Sequence, residues 1–389
     1  MKTIKGIPKN IDESIVGRIT KKPLRRFSRR NSILITNSLQ DKFNKYPAVI
    51  SNDNYSESYL KRNKSVPLCH SVAEIDYLND GDIVLIENNG NINVLYEKES
   101  STNALMLTEK CNCDCIMCPQ ERKTKEENRA PLNLKIISLM DKSTKHLGLT
   151  GGEPTLIGND LLKIIKACKK AIPTAQIDIL TNGIRLCDFD FVKKIVLLQH
   201  PNLIFAIPLY ADTDNEHDHI IKARGFHKTV QGIYNLALFN QRIEIRVVLH
   251  KLTYQRLPKL AEFIYHNFPF VFHITFMGME TRCLAEKNIE ELWIDPHDYM
   301  SELKDAVIYL NQRLMNVSIY NLQLCVMPEE LWPFSAKAIS GWKNIYLDDC
   351  SSCDFKADCG GFFEPSEDRH SSYLSPIKKR LDKPFQECY

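Results

Sequence analysis

Four cysteines lie close together in the segment TEKCNCDCIMCPQ, namely Cys111, Cys113, Cys115 and Cys118. The spacing Cys111-x3-Cys115-x2-Cys118 fits neither the C-x2-C-x2-C run of a ferredoxin nor the paired C-x2-C elements of a structural zinc site. Three thiolates on one loop can instead hold three irons of a 4Fe-4S cluster and leave the fourth iron open to a ligand. Cys113 is then spare, and we expect it to be an incidental loop thiol.

The chain has 13 cysteines among 389 residues, and its N-terminal stretch MKTIKGIPKNIDESIVGR contains no apolar run typical of a secretory signal. We therefore expect a cytoplasmic protein with reduced thiols. In such proteins, clustered cysteines bind metal or act in catalysis more often than they form disulfides. The apolar run Leu203 to Ala211 is far shorter than the ~20 residues that cross a bilayer, which argues against a membrane protein.

A second motif, LTGGEPTL, follows the next predicted strand and contains Gly151, Gly152 and Glu153. Glycines let the backbone approach a ligand because no Cβ is in the way. A carboxylate at a strand end can pair with an ammonium group. The motif therefore favours a site for a ligand that carries an amino group.

Together these two motifs resemble the radical S-adenosylmethionine (SAM) superfamily. The resemblance implies that the open iron binds the amino and carboxylate groups of SAM. It also implies that one electron from the cluster cleaves SAM to methionine and a 5′-deoxyadenosyl radical, which abstracts hydrogen from the substrate. The cofactor-binding residues that the resemblance implies are Met117, through its backbone, with Gly151, Gly152, Glu153, Thr181, Asn182 and Arg246. Beyond the last predicted barrel strand, Glu280 is a candidate proton acceptor, a surface carboxylate being the alternative.

A second group of cysteines has the pattern Cys350-x2-Cys353-x5-Cys359, with Cys325 farther upstream. Three close cysteines and one distant cysteine suit a closed four-thiolate site for either a second 4Fe-4S cluster or structural zinc. The pattern resembles the SPASM or twitch extension of peptide-modifying radical SAM enzymes. The resemblance implies one auxiliary 4Fe-4S cluster, with Cys325 as its fourth ligand and Cys388 as the alternative.

The match to this extension is partial, because Phe363 and Tyr346 stand where further cysteines are expected. The order of motifs between Asp80 and Phe363 most resembles the C-type radical SAM maturases of His-Xaa-Ser systems. That resemblance implies a peptide substrate with His-Xaa-Ser repeats, a second radical SAM protein and a small accessory protein. It also implies an electron donor of the flavodoxin or ferredoxin kind.

The elements that must position these motifs alternate between strands and helices. Six apolar runs predict strands: ALMLT, HLGLT, QIDILT, LIFAIPLY, IEIRVVLH and VFHITFM. Helix-like segments separate them at 133–145, 159–171, 189–199, 229–240 and 257–268. This order predicts an α/β fold with a parallel sheet, a partial (β/α)6 barrel resembling a TIM barrel, in which reactive groups collect at the C-terminal ends of the strands.

Four segments are expected along the chain: a basic arm at 1–31, a small β-containing domain at 32–100, the barrel at 101–290 and a cysteine-rich extension at 291–389. Residues 1 to 30 contain ten Lys and Arg against two acidic residues, whereas the whole chain carries only +3. The strand-turn-strand pattern DIVLIENNGNINVLYE predicts a hairpin in the second segment.

The sequence therefore predicts a radical SAM enzyme that acts on a ribosomally made peptide. One alternative is a radical SAM enzyme that modifies RNA, in which the basic arm would bind phosphates. The other is a non-catalytic iron-sulfur sensor or scaffold that keeps SAM only as a ligand. The acidic balance of the body argues against the first alternative, and the presence of both motifs argues against the second.

Overall fold

The structure is a computed structural model of the chain. It describes residues 3–37, 45–55, 66–120, 128–338, 344–363 and 369–379. The chain divides into two compact units. The first contains Met1–Thr108, Glu127–Asp178 and Leu197–Asn202, and the second contains Glu109–Glu126, Ile179–Val196 and Leu203–Tyr389.

The described part of the first unit contains a mixed sheet of eight strands in the order β1-β8-β7-β3-β4-β5-β6-β2. The strands are β1 (Thr3–Lys5), β2 (Ile7–Lys9), β3 (Ile15–Thr20), β4 (Ser32–Ile35), β5 (Val49–Ile50), β6 (Leu68–His70), β7 (Ile83–Ile86) and β8 (Asn91–Tyr96). Their apolar side chains, among them Ile19, Ile33 and Ile50, form one buried core.

The basic segment at 1–31, expected to be an arm, supplies β1, β2 and β3 to this sheet. Ile4 and Ile19 are only 1% exposed in its core. Six of the ten basic residues lie instead between β3 and β4, in a largely exposed stretch that includes a short 3-10 helix, Arg26–Asn31. The charge count misses this because a few alternating isoleucines decide the burial of short strands.

The predicted hairpin is present, since β7 and β8 pair in antiparallel register. Gly90 in the connecting turn has a φ of +87°, and a Cβ there would lie 2.1 Å from the carbonyl oxygen of Gly6. The Asn-Asn-Gly sequence therefore serves both a turn with positive φ and a close approach of two backbones.

The second sheet follows chain order from β9 to β16. Its strands are β9 (Thr102–Thr108), β10 (His146–Gly151), β11 (Gln176–Leu180), β12 (Leu203–Pro208), β13 (Arg242–Leu249), β14 (His273–Gly278), β15 (Val317–Tyr320) and β16 (Ser335–Ala336). In the first unit β9 and β10 are parallel, and in the second β12 to β16 are parallel. The six predicted strands coincide with β9 to β14, and the chain has an α/β fold with a parallel sheet and an additional mixed sheet.

Helices separate these strands as predicted. They are α1 (Ala130–Leu139), α2 (Asn159–Ala171), α3 (Phe189–Val196), α4 (Asp214–Ile221), α5 (Phe226–Ala237), α6 (Leu257–Asn267), α7 (Leu284–Lys287), α8 (Ile289–Leu292) and α9 (Met300–Asn311). In α2 the buried positions Leu161, Ile164, Ile165 and Cys168 follow the helical repeat. None of the helices within the described ranges combines the length and apolarity that a membrane crossing requires.

Candidate active site

The loop that carries Cys111 to Cys118 belongs to the second unit, and its backbone is fixed on both sides. One side is held by the C-terminal end of α4, and the other by α7 and the residue before α8. The hydrogen bonds run from Asp114 N to Ile221 O (2.9 Å), Ile116 N to Ile220 O (3.0 Å), Leu284 N to Cys118 O (3.1 Å) and Asn288 Nδ2 to Ile116 O (2.8 Å). The loop is therefore positioned by the fold itself.

Burial separates the spare cysteine from the three predicted iron ligands. Cys113 is 2% exposed and belongs to an apolar cluster, whereas Cys111, Cys115 and Cys118 are half-buried. The Asn182 side-chain amide donates a hydrogen bond to the Cys113 sulfur at 3.3 Å. Cys113 thus packs inward, and the other three thiols remain more accessible.

Asn182 and Thr181, predicted to line the cofactor site, have local structural contacts in the second unit. Asn182 Nδ2 also donates to Asn112 Oδ1 at 2.7 Å, and Asn182 Oδ1 accepts from Ile184 N at 3.0 Å. Thr181 is buried, and its hydroxyl accepts a hydrogen bond from Gly183 N at 3.1 Å. Asn182 therefore joins the end of β11 to the cysteine loop, a role that the short Thr-Asn-Gly motif did not reveal.

The charges around the cysteine loop disfavour free thiolates. Burial raises the pKa of the Cys118 thiol, and nearby Cys111, Cys283 and Glu280 raise it further. Burial likewise raises the pKa of Tyr210 well above its usual value, with added contributions from the loop cysteines. Grouped thiols of this kind lose their protons when a metal supplies compensating positive charge. The donor set therefore fits a metal cluster.

Glu280, the candidate proton acceptor, lies close enough to the loop to affect the Cys118 thiol. Its Oε1 is 3.9 Å from the Nε of Arg282, and its side chain is 16% exposed. The structure thus brings Glu280 to the predicted cluster site. Its role as a proton acceptor stays a prediction.

His217 on α4 is a neighbour of the loop that the sequence did not single out. Its Nδ1 accepts a hydrogen bond from Tyr210 N at 3.3 Å, and its ring stacks on that of Tyr210 with centroids 5.6 Å apart. Burial lowers the pKa of His217 to about 4. The imidazole is therefore neutral near pH 7 and serves as a packed acceptor.

The Gly-Gly-Glu motif lies in the first unit at the end of β10. A Cβ at Gly151, whose φ is +143°, would lie 2.2 Å from the carbonyl oxygen of Thr108. That carbonyl accepts a hydrogen bond from Gly152 N at 2.8 Å. Glu153 is fully buried, and its Oε1 accepts from the Thr155 N at 2.9 Å and hydroxyl at 2.6 Å. Gly151 and Glu153 therefore each have a role in the local fold, in addition to any role in ligand binding.

Gly151→Ala is expected to destabilise the protein by about 2–3 kcal/mol, because strained positive φ alone costs about 1–3 kcal/mol and the new Cβ also meets a backbone oxygen. Urea unfolding followed by circular dichroism measures the change. The matched control is Gly152→Ala, since Gly152 does not have a positive φ. Equal losses in the two variants would contradict this account.

All four cysteines of the second group, Cys325, Cys350, Cys353 and Cys359, line one cavity of about 190 Å³ in the second unit. Burial raises the pKa of Cys325 and of Cys350, and the Cys359 thiol raises both further. Ile377 N donates to the Cys353 sulfur at 3.4 Å. The four cysteines predicted to form one site thus line the same cavity. Cys388 lies outside the described residues.

A smaller cavity of about 50 Å³ adjoins the cysteine-lined cavity and shares Gln323, Phe362, His370 and Ser371 with it. It lies beyond the C-terminal ends of β13, β14 and β15. Its lining includes Trp293, Tyr299, Phe363 and Arg369. Strand ends of this kind are where parallel α/β folds bind ligands.

Arg246 on β13 makes an ion pair with Glu244, with 2.6 Å between its Nε and Oε1 of the carboxylate. Met117 is 5% exposed and packs in the same apolar cluster as Cys113. Of the predicted site residues, the second unit therefore holds the cysteine loop, Met117, Thr181, Asn182, Arg246 and Glu280, as well as the second cysteine group.

No protein-family model matches the chain. Molybdenum cofactor biosynthesis protein 1 of Homo sapiens is 31% identical over 147 residues, which are 36% of this chain and 22% of that protein. A putative glycyl-radical enzyme activating enzyme of Methanocaldococcus jannaschii is 34% identical over 74 residues, 17% of this chain and 20% of that protein. The chain thus spans about a fifth of the curated relatives it matches.

Among solved structures, native anSMEcpe with bound AdoMet and Kp18Cys peptide has a TM-score of 0.46 at 17% identity, over 56% of this chain and 63% of that chain. SuiB of Streptococcus suis bound to S-adenosylmethionine has a TM-score of 0.45 at 15% identity, over 69% and 53%. Likeness at this level gives no information about the reaction. The chain is therefore similar over part of its length to a molybdenum cofactor biosynthesis protein and to a glycyl-radical enzyme activating enzyme.

Proposed function

We propose that the protein is a radical SAM enzyme that modifies a ribosomally made peptide, with the parallel sheet forming a partial (β/α)6 barrel. The observation that carries the proposal is the cysteine loop: three half-buried thiols on an anchored backbone, with the fourth thiol, that of Cys113, turned into the core. This division of roles is what a cluster with one open iron requires.

In this proposal Cys111, Cys115 and Cys118 hold the SAM-binding 4Fe-4S cluster. When bound, the cluster supplies the electron for reductive cleavage of SAM to methionine and a 5′-deoxyadenosyl radical. The chain's own residues bind and orient the cofactor. In the second unit the backbone of Met117 is the partner of the adenine.

The cavity lined by the second cysteine group favours an auxiliary iron-sulfur cluster over zinc. A structural zinc ion is held by four ligands at about 2.0–2.3 Å and leaves no space inside its site. Here the four thiols are among the residues that line a cavity of about 190 Å³, whereas one water needs only about 10–15 Å³. Within the described ranges, no three Cys, His, Asp or Glu side chains are grouped closely enough for a single metal ion. A cluster, in which each thiolate binds a different iron, fits this wider spacing.

The smaller cavity is our candidate for the substrate. Its aromatic rings suit a peptide side chain, and the Arg369 guanidinium, which lies 5.7 Å from the centroid of the Trp293 ring, can pair with a carboxylate. The partners that belong to this proposal are a peptide with His-Xaa-Ser repeats, a second radical SAM protein, a small accessory protein and a flavodoxin-like or ferredoxin-like donor.

The test is anaerobic incubation of the iron-reconstituted protein with SAM and dithionite, with 5′-deoxyadenosine measured by chromatography. We expect 5′-deoxyadenosine to form, and to form severalfold faster with a His-Xaa-Ser-rich peptide encoded beside this protein than with a scrambled peptide. Transfer RNA of matched concentration is the control for the RNA alternative. Absence of 5′-deoxyadenosine would contradict the enzyme proposal, and stimulation by RNA alone would contradict the peptide.

A further inference from the structure

A chain of four polar side chains crosses three neighbouring strands of the second unit. Glu244 on β13 accepts a hydrogen bond from Arg246 Nε at 2.6 Å through Oε1 and from His273 Nδ1 at 3.0 Å through Oε2. His273 on β14 reaches Ser318 on β15, with 2.9 Å between Nε2 and the hydroxyl oxygen. A carboxylate can only accept, so Nδ1 of His273 donates to Glu244, while Nε2 and the Ser318 hydroxyl share the second hydrogen bond.

Strand register places these groups together. Glu244 lies opposite His273 in the parallel pair of β13 and β14. The side chains of Glu244 and His273 are only 15% and 11% exposed. Both oxygens of the carboxylate therefore have a donor, and the chain runs continuously from Arg246 to Ser318.

Stability does not account for this chain of polar groups. Buried ion pairs pay a desolvation penalty that their attraction often fails to recover, and apolar residues of similar volume are often as stable or more so. Burial alone would raise the pKa of Glu244, but the contacts with His273 and Arg246 outweigh it and hold the pKa below its usual value. Glu244 therefore stays charged, and its ion pair with Arg246 is maintained.

The position of Arg246 connects this chain to the cysteine loop. Alternate residues of a strand share one face, so Glu244, Arg246 and Val248 lie on the same face of β13. Val248 packs against the apolar cluster that contains Cys113, and Cys111 and Cys115 pack against the same cluster. Arg246 is therefore one two-residue step, roughly 6.6 Å, from a residue that packs against the apolar cluster beside the cysteine loop.

We infer that Glu244, His273 and Ser318 are positioning residues that hold the Arg246 guanidinium ready to bind the carboxylate of SAM. The inference rests on the proposed function. Glu244 occupies Nε, and the two Nη nitrogens can make the paired contact with a carboxylate that a guanidinium favours. Fixing a long side chain before binding removes part of the entropy that binding would otherwise cost.

The test measures SAM affinity of the anaerobically reconstituted protein by isothermal titration calorimetry. Glu244→Gln is expected to weaken SAM binding about 10-fold, in line with the loss of a hydrogen bond to a charged group. Binding of 5′-methylthioadenosine, which lacks the amino acid part of SAM, should stay within about 2-fold. Glu262→Gln, on the exposed side of α6 where the carboxylate pairs with Lys259, is the matched control and should change neither affinity.

His273→Leu should resemble Glu244→Gln, whereas His273→Asn, which can still donate to Glu244, should restore most of the affinity. The double variant Glu244→Gln/Arg246→Ala should bind SAM no more weakly than Arg246→Ala alone, because Glu244 acts through Arg246. If Glu244→Gln weakens the binding of SAM and of 5′-methylthioadenosine equally, or does not weaken the binding of SAM, the positioning role is overturned. Normal SAM binding by the wild type would then leave the proposed function intact. Failure of the wild type to bind SAM overturns both.

Discussion

Simultaneous replacement of Cys111, Cys115 and Cys118 by alanine is expected to abolish 5′-deoxyadenosine formation and to remove about half of the iron. The proposed protein carries two 4Fe-4S clusters, hence about eight irons, and the variant should keep about four. In the proposed cluster each thiolate binds a different iron, so the loss of all three would leave that cluster without protein ligands. Iron content and chromatography of the SAM products measure the two effects.

Cys113→Ala is the matched control because Cys113 lies on the same loop but packs inward at 2% exposure. This variant should keep its iron and its SAM cleavage while losing about 1–2 kcal/mol of stability, as expected for truncation of a buried side chain. If the triple variant still made 5′-deoxyadenosine, the assignment of the loop would be wrong. If Cys113→Ala lost iron as the triple variant does, the division of roles within the loop would be wrong.

The parallel strands were predictable because each is a short run rich in apolar residues between helical segments. Helix α2 matched at both ends, since polar Asn159 and Asp160 begin it and Lys169 and Lys170 close its last turn. Strand β15 was missed because it has only four residues and follows closely on helix α9, Met300–Asn311.

The grouping of the cysteines was predictable where close spacing within one segment brings the thiols together, whereas their role as metal ligands stays a prediction. The site was not predictable where the contact joins distant parts of the chain. Asn182 meets Asn112 and Cys113 across some 70 positions, and the chain from Glu244 to Ser318 depends on strand register. Local periodicity contains no information about such pairings, which follow from how the strands align.

Replacement of Cys325, Cys350, Cys353 and Cys359 by alanine is expected to remove the other half of the iron but to leave SAM cleavage intact. These thiols line a cavity of their own, and none of them belongs to the apolar cluster around the catalytic loop. The modified peptide should fall below detection while 5′-deoxyadenosine continues to form, because the proposed catalytic cluster is untouched but the cavity proposed for the substrate no longer adjoins an auxiliary cluster. Mass spectrometry of the peptide and iron analysis measure the two outcomes.

Cys187→Ala is the control for the quadruple variant, since Cys187 is half-buried like the four but lies on a short 3-10 helix, Ile184–Cys187, outside their cavity. It should lose neither iron nor product. Single variants then identify the fourth ligand: Cys325→Ala should release the auxiliary iron and Cys388→Ala should not, because Cys325 already lines the cavity with the other three. The reverse result would assign Cys388, and one zinc per chain in place of the second set of irons would contradict the auxiliary cluster altogether.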